Sequence, residues 1–199
     1  MKKLLVIVLQ VLIYSAINAQ IPCINYYYNF YPKTVFSISN EGNINSIQFT
    51  QGNCVIVMDS YGNITSLTPT GAGNYSYYDN FDTNTGNQAK LKSYAGTVFT
   101  YYPLTENNGL AGRIKSIDSL QINYYNAFDF NAPFGKIKSI GNIKVDYFGS
   151  KEITPFDGKI KSIGDYSISY FTTFDLDAMK GQIKLLEGKM DNVLVFPNL

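Results

Sequence analysis

The side chains able to do chemistry in this sequence are nearly all carboxylates, lysines and tyrosines, because its 199 residues contain no histidine. Activating a serine or cysteine nucleophile takes a base poised near neutrality, and histidine is the usual one. Ser–His and Cys–His pairings are therefore excluded. Two carboxylates flanking a scissile bond would still support hydrolysis. The acidic residues, however, are scattered singly or in twos through turn-like and strand-like segments, where solvated charges belong. No catalytic residue is assigned and the chain is read as a non-enzyme, with a carboxylate-only hydrolase as the enzymatic alternative. The segment Asp82-Thr-Asn84-Thr-Gly86-Asn87 has the oxygen-rich character of a calcium loop. It lacks the Asp-x-Asp-x-Asp-Gly order, and Ser93 stands at the twelfth position, where a bidentate glutamate belongs. No metal and no cofactor is assigned.

Two columns of side chains suggest binding instead. Lys90/Lys92, Arg113/Lys115, Lys136/Lys138 and Lys159/Lys161 recur at a step of 23 residues, and Lys184 continues the second member. The aromatic pairs Tyr101-Tyr102, Tyr124-Tyr125, Tyr147-Phe148 and Tyr170-Phe171 keep the same step. Neighbours on a strand point to opposite faces. If Tyr124 and Tyr147 face inward, Tyr125, Phe148 and Phe171 face outward. A basic stripe beside outward rings suits an acidic glycan, the cations taking its charge and the rings its apolar faces. The candidate glycan-binding set is Lys115, Lys138, Lys161, Tyr125, Phe148 and Phe171. The competing readings are a solvated face whose lysines discourage edge pairing, and aromatic rows that serve only cross-strand packing.

The elements that must position these residues come from a repeat. Gly112-Arg-Ile-Lys-Ser-Ile117 returns as Gly135-Lys-Ile-Lys-Ser-Ile140, as Gly158-Lys-Ile-Lys-Ser-Ile163, and more loosely as Gly181-Gln-Ile-Lys-Leu-Leu186. Ala89-Lys-Leu-Lys-Ser-Tyr94 is a degenerate copy, and Gly62-Asn-Ile-Thr-Ser-Leu67 and Gly42-Asn-Ile-Asn-Ser-Ile47 resemble it at other spacings. The second half of each unit alternates cleanly, as in Ile143, Val145, Tyr147 against Lys144, Asp146. Period two with one apolar side is the pattern of a half-buried strand. Asp118-Ser119, Gly141-Asn142 and Gly164-Asp165 supply turn residues between the strands. A three-residue hairpin loop would set Ile137 opposite Tyr147, Ser139 opposite Val145 and Lys138 opposite Asp146, sorting apolar from charged side chains. A two-residue turn would mix the faces, so the longer loop, with a bulge, is expected. The expected fold is all-β: tandem 23-residue antiparallel hairpins forming a long sheet that curves or coils, as a solenoid, a shell or a rolled sandwich.

At the level of motif, Met58-Asp59-Ser60-Tyr61-Gly62-Asn63-Ile64-Thr65-Ser66 resembles the YD repeat of bacterial cell-surface proteins, with Met where Tyr is expected. Phe81-Asp82…Gly86, Phe128-Asp129…Gly135 and Phe174-Asp175…Gly181 are similar, with Phe for Tyr. The 23-residue step is also similar to that of MORN repeats, although their paired-glycine, tryptophan-rich pattern is missing. The resemblance implies an exported β-repeat scaffold for surface contact, and it carries over no catalytic residue.

The N-terminus agrees with export. Lys2 and Lys3 precede an apolar run from Leu4 to Ile17, and Ala19 offers a small residue at a cleavage point. The run falls short of the roughly 20 apolar residues of a spanning helix, and Gln10 interrupts it. Residues 1–19 are read as a signal peptide and residues 20–199 as one hairpin-repeat domain, regular from about residue 89 and without a transmembrane helix. An exported chain would be expected to oxidise Cys23 and Cys54. Placed on strands with one strand between them, they would lie roughly 9–10 Å apart, beyond the disulfide reach of about 7 Å, so the bridge stays open. A net charge of +1 gives no field to draw nucleic acid. The expected protein is a structural or adhesive repeat protein, secreted, periplasmic or on the cell surface. Its expected partner is a polysaccharide or another cell-surface protein. The alternative from another class is an outer-membrane barrel, against which the strands of about six to nine residues are short of the 9–11 required.

Overall fold

Alternating β-branched and aromatic residues, broken every few positions by glycine and asparagine, leave this chain little choice but strands. The structure, a computed structural model, describes residues 33–79, 86–106, 108–129, 132–149, 156–175 and 179–198. The signal-peptide reading of residues 1–19 and the cysteine at position 23 lie outside them. Five strands form one sheet: β1 (Thr34–Ser39), β2 (Ile44–Gln51), β3 (Cys54–Met58), β4 (Ile64–Pro69) and β15 (Val193–Asn198), in the order β15-β1-β2-β3-β4. A second sheet holds ten strands in strict sequence order. They are β5 (Tyr75–Tyr77), β6 (Leu91–Tyr94), β7 (Thr97–Tyr101), β8 (Ile114–Ile117), β9 (Leu120–Tyr124), β10 (Ile137–Ile140), β11 (Ile143–Tyr147), β12 (Ile160–Ile163), β13 (Tyr166–Tyr170) and β14 (Ile183–Glu187). All neighbours are antiparallel except β1 and β15, which run parallel. The fold is thus nearly all-β, with consecutive hairpins in one large sheet.

The turns correct the expected loop length. Ile140 pairs with Ile143 and Ile163 with Tyr166, so Gly141-Asn142 and Gly164-Asp165 are two-residue turns. The first turn residue has positive φ in each of five such hairpins: Gly52, Ala95, Asp118, Gly141 and Gly164. The mixing of faces that this register should cause is removed by a bulge. Tyr124 faces Ile137 and Asn123 faces Ser139, which leaves Lys138 as an extra residue. The same happens at Asn45, Thr65, Lys92, Lys115, Lys161 and Lys184. A bulge sets two residues against one and resets the parity of the strand. Hence Ile137 and Ile140, three positions apart, are both buried, as are Ile114 with Ile117 and Ile160 with Ile163.

The bulged strands also carry the contact between the sheets. A bulge turns a backbone amide out of its ladder, and burying it unpaired would cost about 1–3 kcal/mol. Those of Ile137, Ile160 and Ile183 donate to Ser60 O (2.8 Å), Gly42 O (3.0 Å) and Asn40 O (2.8 Å), all in tight turns of the five-stranded sheet. Gly42 and Gly62 have φ of 79° and 78°, and a Cβ there would run into the rings of Tyr170 and Tyr124. Phe36, Ile38, Ile47, Phe49, Ile56 and Met58 meet Phe99, Ile122, Val145 and the bulge-strand isoleucines in one continuous core.

Two predictions follow from the bulge and its glycines. Gly62→Ala should lower stability by about 2–5 kcal/mol, combining a left-handed backbone with a displaced core ring. Gly158→Ala has the same positive φ (75°) but open space around its Cβ, so it should cost only about 1–2 kcal/mol. Deleting Lys115 should abolish the native fold by reversing the faces of β8, whereas Lys115→Ala should leave the melting temperature nearly unchanged. Denaturant melts of the four variants decide both points.

Candidate functional site

The first basic column is spent on the scaffold. Lys90 Nζ donates to Gly112 O (3.0 Å), Arg113 Nη1 to Gly135 O (3.1 Å), Lys136 Nζ to Gly158 O (3.1 Å) and Lys159 Nζ to Gly181 O (2.8 Å). Each cation ties its hairpin to the positive-φ glycine of the next. Each also stands over an inward tyrosine: Lys90 over Tyr101, Arg113 over Tyr124, Lys136 over Tyr147 and Lys159 over Tyr170, at 4.9–5.4 Å from the ring centroid. Arg113 Nη1 and Lys159 Nζ reach the other sheet as well, donating to Tyr61 O and Glu41 O.

The second column is the one in the candidate glycan set. Lys115, Lys138 and Lys161 are exposed bulge residues on the outer face of the ten-stranded sheet. They cap the rings of Tyr102, Tyr125 and Phe148 at 5.9, 5.1 and 5.4 Å, and Lys184 caps Phe171 at 5.7 Å. The structure therefore brings cations and rings together, but stacked rather than side by side. The outward placing of Tyr125 is corrected: it is only 7% exposed. Backbone pairing continues past the strand, Tyr125 N to Lys136 O and Gly135 N to Tyr125 O, which lays the ring against the next hairpin. There its hydroxyl donates to Val145 O (3.0 Å). Tyr102 and Tyr78 do the same to Ile122 O and Phe99 O. Phe148 and Phe171 are half-buried at equivalent positions. Lys138 does not face Asp146 as the longer loop would have it; its Nζ binds Asp129 Oδ1 at 2.8 Å. Lys184 and Asp175 pair likewise at 2.7 Å, and this bond with the Thr172 amide holds the Asp175 carboxyl down to about 2.

Beside Tyr102, Asn108, Leu110 and Asn126 the outer face forms an open groove of about 520 Å³. Asn123, Asn126, Lys138, Ser139, Lys144 and Asp146 line it, with Tyr102 at one end. Asn123 Nδ2 donates to Ser139 Oγ (2.9 Å), and Asp146 accepts from Tyr125 and Ser162. The groove thus offers amide, hydroxyl, ammonium and carboxylate groups in fixed positions. Of these, sequence reasoning had singled out only Lys138. The polar alternation of Asn123 and of Lys144 with Asp146 marked them as outward but gave no sign that two loops would wall them in. Cys54 is fully buried in the core, its thiol 3.6 Å from Tyr94 O. Among the described residues no three His, Cys, Asp or Glu side chains gather as metal ligands, and no helix is long and apolar enough to cross a membrane.

The inward tyrosines give two tests. Burial, aided by the nearby Tyr78, raises Tyr101 to about 12, and burial pushes Tyr124, Tyr147 and Tyr170 higher still. In the unfolded chain tyrosine ionises near pH 10. A raised folded value adds stability that is complete below about pH 10 and is lost as pH climbs toward the folded values. Burial lowers Lys90, Lys136 and Lys159 from the ordinary 10.5, which adds stability as pH rises toward that value and is complete before most of the tyrosine loss. The melting temperature should therefore fall above about pH 10.5, with the tyrosinate absorbance of Tyr101, Tyr124, Tyr147 and Tyr170 appearing only as the chain unfolds. A flat or rising melting temperature there would contradict the buried array. Separately, Tyr170 donates to Ile160 O at 2.6 Å, whereas the hydroxyls of Tyr124 and Tyr147 have no partner among the described residues. Tyr170→Phe should cost about 1–3 kcal/mol, and Tyr147→Phe should be neutral or stabilising in the same melts.

Comparison with protein-family models, with curated proteins and with solved structures finds no match for this chain.

Proposed function

We propose that this is an exported, non-enzymatic repeat protein with a structural or adhesive role, which takes up glycan chains on the outer face of its ten-stranded sheet. The 23-residue step is read as a tandem hairpin unit, and the apolar run from Leu4 to Ile17 as the export signal. The observation that carries the binding reading is the groove beside Asn108, Leu110 and Asn126. Its amides, Ser139, Lys144 and Asp146 supply both donors and acceptors, which suits the many hydroxyls of a sugar. Lys144 carries no ion pair among the described residues and is the cation best placed to meet an acidic sugar. Lys115, Lys138 and Lys161 extend the positive row along the same face. They act there as charges only, since the rings beneath them are capped.

Binding of the mature chain to immobilised acidic and neutral polysaccharides tests this. Retention on the acidic polymer should weaken from low to moderate salt, because exposed charges separated by more than a Debye length of about 8–10 Å stop interacting. Lys144→Ala combined with Asn123→Ala should weaken retention several-fold, and removing Lys138 and Lys161 together should weaken it more than removing either. No retention of any polysaccharide at low salt would dismiss the reading.

A further inference from the structure

The ten-stranded sheet alternates two kinds of strand. The bulged kind (β6, β8, β10, β12, β14) begins just after a positive-φ residue. The smooth kind (β5, β7, β9, β11, β13) carries no extra residue. Each bulged strand meets a smooth one on its bulge side and, through a two-residue turn, another on its turn side. The pattern fails only at the two ends. β5 is a smooth strand with no bulged strand on its turn side, because β4, the bulged strand before it, lies in the other sheet. β14 is a bulged strand with no smooth strand on its turn side, because β15 crosses to pair with β1. Among the described residues both edges are open, and they are the two halves of the contact that β6–β7, β8–β9, β10–β11 and β12–β13 make internally.

We propose that the outer edge of β14 in one molecule pairs antiparallel with the outer edge of β5 in a second copy, so that the sheet continues head to tail from molecule to molecule. Carrying over the β12–β13 register, where Ser162 faces Ser167 and Ile163 faces Tyr166, sets Leu185 opposite Asn74 and Leu186 opposite Gly73. Exposed apolar residues stand at both edges, the tyrosines of β5 on the inward face and Leu185 of β14 on the outward face. Tyr75 and Tyr77 are 56% and 57% exposed, although the matching residues of β7, Phe99 and Tyr101, are buried and half-buried. Tyr75 stacks on Tyr94 with ring centroids 4.0 Å apart and planes within 4°, which leaves its other face turned past the sheet edge. No cation stands over Tyr75 or Tyr77 among the described residues, unlike Tyr101, Tyr124, Tyr147 and Tyr170. On β14, Leu185 is 48% exposed where the other bulged strands place Ser93, Ser116, Ser139 and Ser162.

The edges also lack some of the usual obstacles. β5 is Tyr-Ser-Tyr, without the lysine or proline that commonly guards an edge strand. Beyond Glu187 the chain continues along β13 to Gly188, beside Asp165 and Tyr166, and then passes the β12–β13 turn with Met190 against Gly164, so it does not run along the outer side of β14. Because the two patches differ, the contact is heterologous and produces an open chain of molecules rather than a closed dimer.

Sedimentation velocity of the mature chain over a range of concentrations tests the proposal, with circular dichroism and melting temperature to show that each variant folds. Wild type should form a concentration-dependent series of dimer, trimer and longer species. Tyr77→Lys and Leu185→Lys should each be monomeric, since each spoils one edge. Mixed in equal amounts they should form a dimer and nothing larger, because only one good edge of each kind remains. A wild type that is monomeric up to its solubility limit overturns the proposal, as does a dimer that persists in either single variant. If a lysine variant fails to fold, a peptide copying residues 181–188 added to wild type must shorten the series, and no shortening overturns the proposal equally.

Discussion

One extra residue in every bulged strand is the constraint on which the rest of this structure depends. The two-residue turns would otherwise put Ile137 and Ile140 on opposite faces, since side-chain direction alternates with period two. The bulge at Lys138, repeated from Asn45 to Lys184, lets both isoleucines enter the core. It sits beside a positive-φ glycine or alanine, which bends the chain into the strand. It also releases an amide that the other sheet must satisfy, and Ser60, Gly42 and Asn40 do so. Side-chain parity, strand entry and the docking of the two sheets thus share one local device.

The same device explains why so much positive charge is structural. The residue at the bulge projects outward next to the aromatic one position past the preceding smooth strand, so a lysine there folds over the ring. The basic residue two positions earlier lies within reach of the next glycine carbonyl and of an inward tyrosine. Cation–ring contacts of this kind contribute about 0.5–1 kcal/mol each at exposed sites, and more when desolvated. A row of lysines in the sequence is therefore a row of small ties between hairpins before it is an electrostatic surface. What remains for a ligand is the charge that no such tie engages, and the groove at Lys144 is where it meets fixed polar groups.

The two sheets divide the labour by strand and loop length. β2 runs for 8 residues and is joined to β1 by a tight turn, whereas β8, β10 and β12 run for 4 and are preceded by long loops. Tight turns can be pressed onto the facing sheet, and Gly42 and Gly62 are pressed onto Tyr170 and Tyr124. Long loops instead fold along the outer face, where Asp129 and Asp175 are pinned by Lys138 and Lys184. Phe174, next to Asp175, is 97% exposed.

The sequence by itself determined the strand type and the inward set Ile114, Ile137 and Ile160, because apolar alternation and the Gly-x-Ile-x-Ser-Ile motif are local signals. It also placed lysines and aromatics together in each unit. Only the tertiary structure decided the turn length, because a two-residue turn with its bulge and a three-residue loop place nearly the same residues inward, and hydrogen-bond register alone separates them. Only the tertiary structure buried Tyr125, since the strand that covers it comes from the next hairpin, 20 residues on at Val145. The division into two sheets was likewise invisible locally. β4 and β14 carry the same motif as their neighbours, and what makes the chain leave the sheet after each is the packing of whole faces, a sum over distant residues that no short segment encodes.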